Sequence, residues 1–260
     1  EVLVAIRPEF PTEGFVFMTG SEVPGGSNNV NMAVVGADLP MGDIYIKKSI
    51  DPAAPAQSIL GDQLGQGSLQ GIDLSWDSEK MLFSFWSKPG NTGDHDKKNA
   101  WIYEMDLATG SLKTITQPVG SNDVEPIFLP NGDYMFASDR SSFGNQCAGA
   151  FLQDKRCTTL YRLDGSLEKP AIAISNNKDF DRHPVVLNDG TVAFLHWEYQ
   201  ERHFYNLHTV WRSRPDGTNM DAFYKQHINI PMSIRTVRPV PDSDLCAATA
   251  QGHHDGPQRP

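Results

Sequence analysis

One period governs this chain. Four segments set a turn between apolar residues: LSWDSEKMLFS at 74–84, IFLPNGDYMFAS at 127–138, VVLNDGTVAFLH at 185–196 and the degenerate RPVPDSDLCAAT at 238–249. With Trp76, Leu129, Leu187 and Val240 as the common position, they recur at intervals of 53, 58 and 53 residues. A second series keeps the same spacing. DIYIKKS at 43–49, WIYEMDLATG at 101–110, TLYRLDGS at 159–166 and VWRSRPDGT at 210–218 are anchored at Ile44, Ile102, Leu160 and Val210, which lie 58, 58 and 50 apart. A repeat of this length decides the architecture before any motif does.

The first series reads as an apolar hairpin. Asn131-Gly132 and Asp189-Gly190 predict tight two-residue turns that need positive φ, which glycine adopts without a Cβ clash. The second series alternates apolar and polar residues before an Asp-Gly or Thr-Gly turn, the pattern of half-exposed outer strands. Each unit is then a small antiparallel sheet that cannot cover both of its faces alone. Radial stacking buries the faces and protects the edges, so the expectation is an all-β fold, a β-propeller of four-stranded antiparallel blades. The blades fall at about residues 1–60, 61–116, 117–175 and 176–228, with a partial blade at 229–260, in a single propeller domain. About four and a half blades do not close a ring, so completion is expected from residues beyond Pro260 or from another segment, giving six or seven blades.

Composition agrees. Gly 22 and Pro 18 interrupt the chain too often for long helices. The balance of 22 Lys+Arg against 32 Asp+Glu, a formal net charge of −10, argues against binding nucleic acid phosphates or anionic membranes. No apolar run is long enough for membrane insertion, and EVLVAIRPEF lacks the order of a signal peptide, so a trimmed soluble chain or a piece of a longer one is expected. Cys147, Cys157 and Cys246 form neither CxxC nor CxxCH, which leaves no haem attachment motif and no four-cysteine zinc site within the chain. Nor is there a GxSxG elbow, an HExxH, a phosphate-binding GxxxxGK[ST] or a dinucleotide fingerprint, so ordinary hydrolase and nucleotide readings lose support.

The third turn segment with its flanks, EPIFLPNGDYMFASDRSS, resembles the repeats of TolB-like periplasmic propellers. The run from Asp181 to Tyr224, with its LHWEY segment, and GHHDGPQ at 252–258 are similar to the middle propeller domain of the hydrazine synthase α-subunit and related secreted bacterial proteins. The resemblance covers about residues 70–260. It implies a periplasmic or secreted protein in which the propeller is one part. The complete α-subunit carries c-type haems on separate domains beside a metal-assisted site, so the implied partner is another domain or subunit that bears haem in that family.

Candidate sites each have a plain structural alternative. The loop at 138–159 is about 20 residues long. Cys147 and Cys157 lie ten apart within it, and a bridge between them would stabilise it by about 2 to 3 kcal/mol. The resemblance implies instead that Cys147 is a thiolate ligand to zinc. His196 and Glu198 share one face of a strand, where they can share a proton or chelate a cation; otherwise His196 is a buried, satisfied histidine. His183 is expected just before an inner strand, near the central channel. His253, His254 and Asp255 offer transition-metal donors, although adjacent histidines point apart on extended chain. Asp139 and Arg140 read as an ion pair between blades. Asp94, His95 and Asp96 read as a solvated turn.

Three functions remain open. One is a scaffold that docks a partner domain or subunit on one face, which should expose an apolar patch. A second is a wall of a metal- or haem-dependent redox site using Cys147, His183, His196, His253 or His254. A third is a free-standing glycan or peptide binder that stacks ligands on Trp86, Trp101, Trp197 and Trp211.

Overall fold

A computed structural model describes residues 3–5, 15–19, 42–87, 99–141, 157–198, 208–225, 228, 230–231 and 233–251. All regular elements among them are strands. The first sheet holds β1 (Leu3–Ala5), β2 (Phe15–Met18), β3 (Ile44–Lys47) and β4 (Ala56–Ser58). The second holds β5 (Gly67–Leu74), β6 (Lys80–Ser87), β7 (Ala100–Asp106) and β8 (Leu112–Thr116). The third holds β9 (Asp123–Phe128), β10 (Tyr134–Ser138), β11 (Thr159–Leu163) and β12 (Ile172–Ala173). In the fourth, β13 (Phe180–Val186), β14 (Val192–Trp197), β15 (His208–Ser213) and β16 (Asp221–Tyr224) follow the same order. A last hairpin, β17 (Ser233–Pro239) and β18 (Cys246–Gln251), joins this sheet through one parallel pair, His208 with Ser233.

Packing divides the chain into two compact units that part between Phe128 and Leu129. In the first unit, Val16, Met18 and Ile44 of the first sheet meet Leu69, Phe83 and Met105 of the second in one core cluster. In the second unit, Val185, Ala193 and Val210 pack with Ile234 and Val237 of β17. Cys157, Phe180, Leu195 and Trp197 form a smaller cluster. Both cores follow from the repeat, because the apolar second strands β6, β10 and β14 are buried almost throughout.

The turns differ from the expected two-residue type. Leu129 N–H donates to Asp133 O at 2.8 Å and Gly132 N–H to Leu129 O at 3.0 Å, and Leu187–Thr191 and Arg214–Thr218 repeat the arrangement. These are three-residue loops: a type I turn, then a glycine in left-handed conformation, Gly132 at φ 87° and Gly190 at φ 80°. Asn131 and Asp189 do not have the positive φ that a two-residue turn would demand. Asp189 instead accepts from the Thr191 N–H at 2.9 Å and from its hydroxyl at 2.6 Å, which stabilises the loop locally. A Cβ on Gly132 would meet nothing within 4 Å, so Gly132→Ala pays only for the backbone conformation. A loss of about 1 to 2 kcal/mol in urea denaturation is the expected result.

Two further features recur. The third strand of each four-stranded sheet carries an aliphatic residue followed by an aromatic one: Ile44-Tyr45, Ile102-Tyr103, Leu160-Tyr161 and Val210-Trp211. Each aromatic is paired across the sheet with a phenylalanine of the second strand: Phe17 with Tyr45, Phe83 with Tyr103, Phe136 with Tyr161 and Phe194 with Trp211. The first three pairs are stacked, with centroids 5.4, 5.8 and 6.3 Å apart. The innermost strands share a left-handed step at Gly71, Glu125, His183 and Thr236, with φ of 66°, 55°, 52° and 46°. On β5, β13 and β17 it coincides with a bulge. His183 therefore lies inside β13, where the expectation had placed it ahead of the strand.

Candidate functional site

The strongest concentration of buried polar chemistry lies where β13 meets β14. Antiparallel register sets Asp181 opposite His196. His196 Nδ1 lies 2.6 Å from Asp181 Oδ1, and His196 Nε2 lies 3.1 Å from Glu198 Oε1. The Asp181 and His196 side chains are 1% and 10% exposed, whereas Glu198 is 37% exposed at the rim. The expected adjacency of His196 and Glu198 is thus present, with a second and deeper carboxylate behind it.

Neighbours hold the group in place. Asn177 Nδ2 donates to Asp181 Oδ1 at 3.2 Å, Phe180 O at 3.1 Å and Trp197 O at 2.9 Å. The Thr209 hydroxyl donates to His196 O at 3.3 Å. Trp211 of β15 covers the imidazole with its centroid 4.2 Å away. Burial by itself pushes the His196 pKa down, but the hydrogen bonds and charges of Asp181 and Glu198 outweigh it and hold the value at about 9. The hydrogen bond from His196 in turn lowers the pKa of Glu198.

This fixes the chemistry. Near neutral pH His196 is an imidazolium with both N–H groups facing carboxylates. The zinc ligand that the resemblance implied, Cys147, lies outside the described residues. Among the described residues no group of three or more His, Cys, Asp and Glu is arranged to hold a metal ion. The cluster acts as a charged clamp between strands.

The other predicted residues are dispersed. Cys157 is buried beside Phe180 and Trp197. Cys147, His253, His254 and the Asp94-His95-Asp96 turn lie outside the described residues, and the Cys147–Cys157 bridge with them. Asp139 is buried, and the Arg140 guanidinium sits over Phe136 and Tyr161, 5.5 and 5.0 Å from their centroids, while its Nε donates to Ser138 Oγ at 3.0 Å. Trp86 and Trp197 are buried, and Trp101 and Trp211 are half-buried against the sheets. Asn177, Asp181, Thr209 and Trp211 were not anticipated as partners of His196. The one available signal was the Phe194–Trp211 pairing that follows from aligning the repeats, which sets Trp211 diagonal to His196.

The sheets and their repeat define a β-propeller of the kind found in TolB-like and hydrazine-synthase-like proteins. Among solved structures, the chain is similar to hydrazine synthase of Kuenenia stuttgartiensis, with a TM-score of 0.66 at 13% identity over 88% of this chain and 34% of that one. TolB from Acinetobacter baumannii matches with a TM-score of 0.50 at 14% identity over 93% of this chain and 50% of that one. Oligogalacturonate lyase from Vibrio parahaemolyticus matches with 0.51 at 13% identity, over 97% and 66% respectively. At such identities the likeness is one of fold, and the chain spans a third to two thirds of these proteins. No family model and no curated protein sequence matches the chain. Among the described residues no helix is long and apolar enough to cross a membrane.

Proposed function

We propose that this chain is an extracytoplasmic propeller module that holds a partner domain or subunit in position. The observation that carries the reading is a run of exposed large apolar residues at the outer strand of the fourth sheet and just after it. Phe223, Tyr224, Ile228 and Ile230 are 37%, 49%, 45% and 82% exposed within eight residues of chain. Apolar side chains gathered in this way mark interaction surfaces more often than solvent-facing ones. The locked His196 supports a structural role for the polar cluster. The TolB-like fold and the sequence resemblance support the extracytoplasmic setting, and in that family the propeller serves a larger protein.

Hydroxyl-radical footprinting tests the docking surface. Phe223, Tyr224 and Ile230 should oxidise readily in the isolated chain and at least about threefold more slowly in the native assembly recovered by size exclusion, as burial beneath a partner requires. Equal oxidation in both would end the reading.

A further inference from the structure

An asparagine followed by glycine is chemically labile in water. The glycine nitrogen, with no Cβ beside it to obstruct approach, attacks the asparagine side-chain carbon; ammonia leaves, and water opens the resulting succinimide to aspartate or isoaspartate. The sequence contains one Asn-Gly pair, Asn131-Gly132. Three Asp-Gly pairs also fall among the described residues, Asp164-Gly165, Asp189-Gly190 and Asp216-Gly217. Asn131 and Gly132 are both exposed, so burial does not shelter them.

The loop supplies the shelter instead. Gly132 N–H, whose nitrogen is the attacking atom, donates to Leu129 O at 3.0 Å. Asn131 is the third residue of the type I turn, where ψ is about 0°, whereas ring closure needs the following nitrogen swung round to eclipse Cβ. The Asn131 amide is held by both of its atoms: Nδ2 donates to Asp133 Oδ2 at 2.8 Å, and Oδ1 accepts from Asp133 N–H at 3.3 Å. The Asp-Gly pairs share the restraint on nitrogen. Gly190 N–H donates to Leu187 O and Gly217 N–H to Arg214 O, each at 2.9 Å, and Gly165 N–H to Asp133 Oδ1 at 3.0 Å. They also have a second one. Hydrogen bonds from Ser166, Thr191 and Thr218 lower the pKa of Asp164, Asp189 and Asp216, and an ionised carboxylate resists attack by the nitrogen. The neutral amide of Asn131 lacks that protection and depends on the loop alone.

Asp133 determines what deamidation would do. It is buried, and its Oδ2 accepts from Arg162 Nε at 2.6 Å while its Oδ1 accepts from Gly165 N–H, which ties the loop to β11 and to the turn after it. Burial pushes its pKa up, but hydrogen bonds from Gly165, Arg162 and Asn131 outweigh this and hold it below the usual carboxylate value. A carboxylate at position 131 would put a like charge where Asp133 now accepts a hydrogen bond.

We propose that Asn131 is a deamidation site that the folded loop keeps closed, and that opening the loop converts it to aspartate or isoaspartate, a mark that obstructs the loop's return. In the step the bond between Gly132 N and Asn131 Cγ forms and the bond from Cγ to Nδ2 breaks. Nδ2 leaves as ammonia with the former Gly132 amide proton, and water reopens the ring, so no oxidant or reductant takes part.

The 260-residue chain would be incubated in mildly alkaline buffer with and without guanidinium chloride, and the Asn131 peptide followed by mass spectrometry that resolves its asparagine, aspartate and isoaspartate forms. Asparagine should be lost at least tenfold faster in denaturant, and a synthetic peptide of residues 126–136 should match the denatured chain, because the rate follows the open fraction of the loop. Equal rates in the native and denatured chains would overturn the proposal. Asp133→Ala, with folding verified by circular dichroism, should raise the native rate by at least about threefold. A rate left unchanged while the Gly132 amide exchanges faster would show that the loop is not the guard. Asn131→Asp carries the mark from the start and should speed exchange of the Gly132 amide by at least about tenfold. Exchange as slow as in the native chain would show that the mark does not obstruct the loop.

Discussion

Asp181→Asn should destabilise the second unit by about 3 to 5 kcal/mol near neutral pH, because it leaves a buried imidazolium without its deeper counter-charge. The native partner lies 2.6 Å from His196 Nδ1 and is 1% exposed, so water cannot substitute for it. The loss should depend on pH. The His196 pKa is raised from 6.5 in the unfolded chain to about 9 in the folded protein, so its contribution is full below about pH 6.5 and fades as pH rises through about 9. Urea denaturation of the native protein and of Asp181→Asn should therefore differ most below neutrality and converge above about pH 10. In the variant, NMR titration of the His196 ring should show a lower pKa. A gap that stays constant with pH would mean that the carboxylate matters for packing and not for charge.

Trp197→Ala should cost a similar amount, about 3 to 5 kcal/mol, by a different route. The indole is fully buried, with its ring centre 5.3 Å from Phe180 and 5.2 Å from His208, the latter nearly parallel at 12°. Removing it empties the middle of the cluster that includes Cys157 and Leu195. Trp197→Phe should recover more than half of the loss because it refills most of the volume. Since no titrating charge is removed, the deficit should be flat from about pH 6 to pH 10, which distinguishes it from that of Asp181→Asn by the same measurement. Similar pH profiles for the two variants would show that one of the mechanisms is misassigned.

The architecture was legible because a propeller blade writes its period into turn residues and strand alternation, both local signals. Leu129, Leu187 and their neighbours marked the hairpins although the loop geometry differed by one residue: an Asn-Gly or Asp-Gly pair fits either loop, and the preceding proline or asparagine decides nothing by itself. The site was half legible. His196 and Glu198 are two residues apart on one strand, so their contact follows from pleat geometry. Asp181 is fifteen residues upstream and meets His196 only through cross-strand register. The bulge at His183 falls between Asp181 and the hairpin turn, so simple alternation counted back from the turn assigns Asp181 to the wrong face.

The left-handed step shared by Gly71, Glu125, His183 and Thr236 belongs to the blade and not to a residue type. Glycine adopts it freely, but Glu125, His183 and Thr236 adopt it against a steric preference. The backbone kink has thus become a standard socket, wired alike in successive modules and fitted with a different plug in each. Exchanging the plugs at Glu125, His183 and Thr236 offers a way to alter the chemistry each module presents without redrawing its frame, whereas a Cβ at Gly71 would lie 2.6 Å from Glu125 Cα.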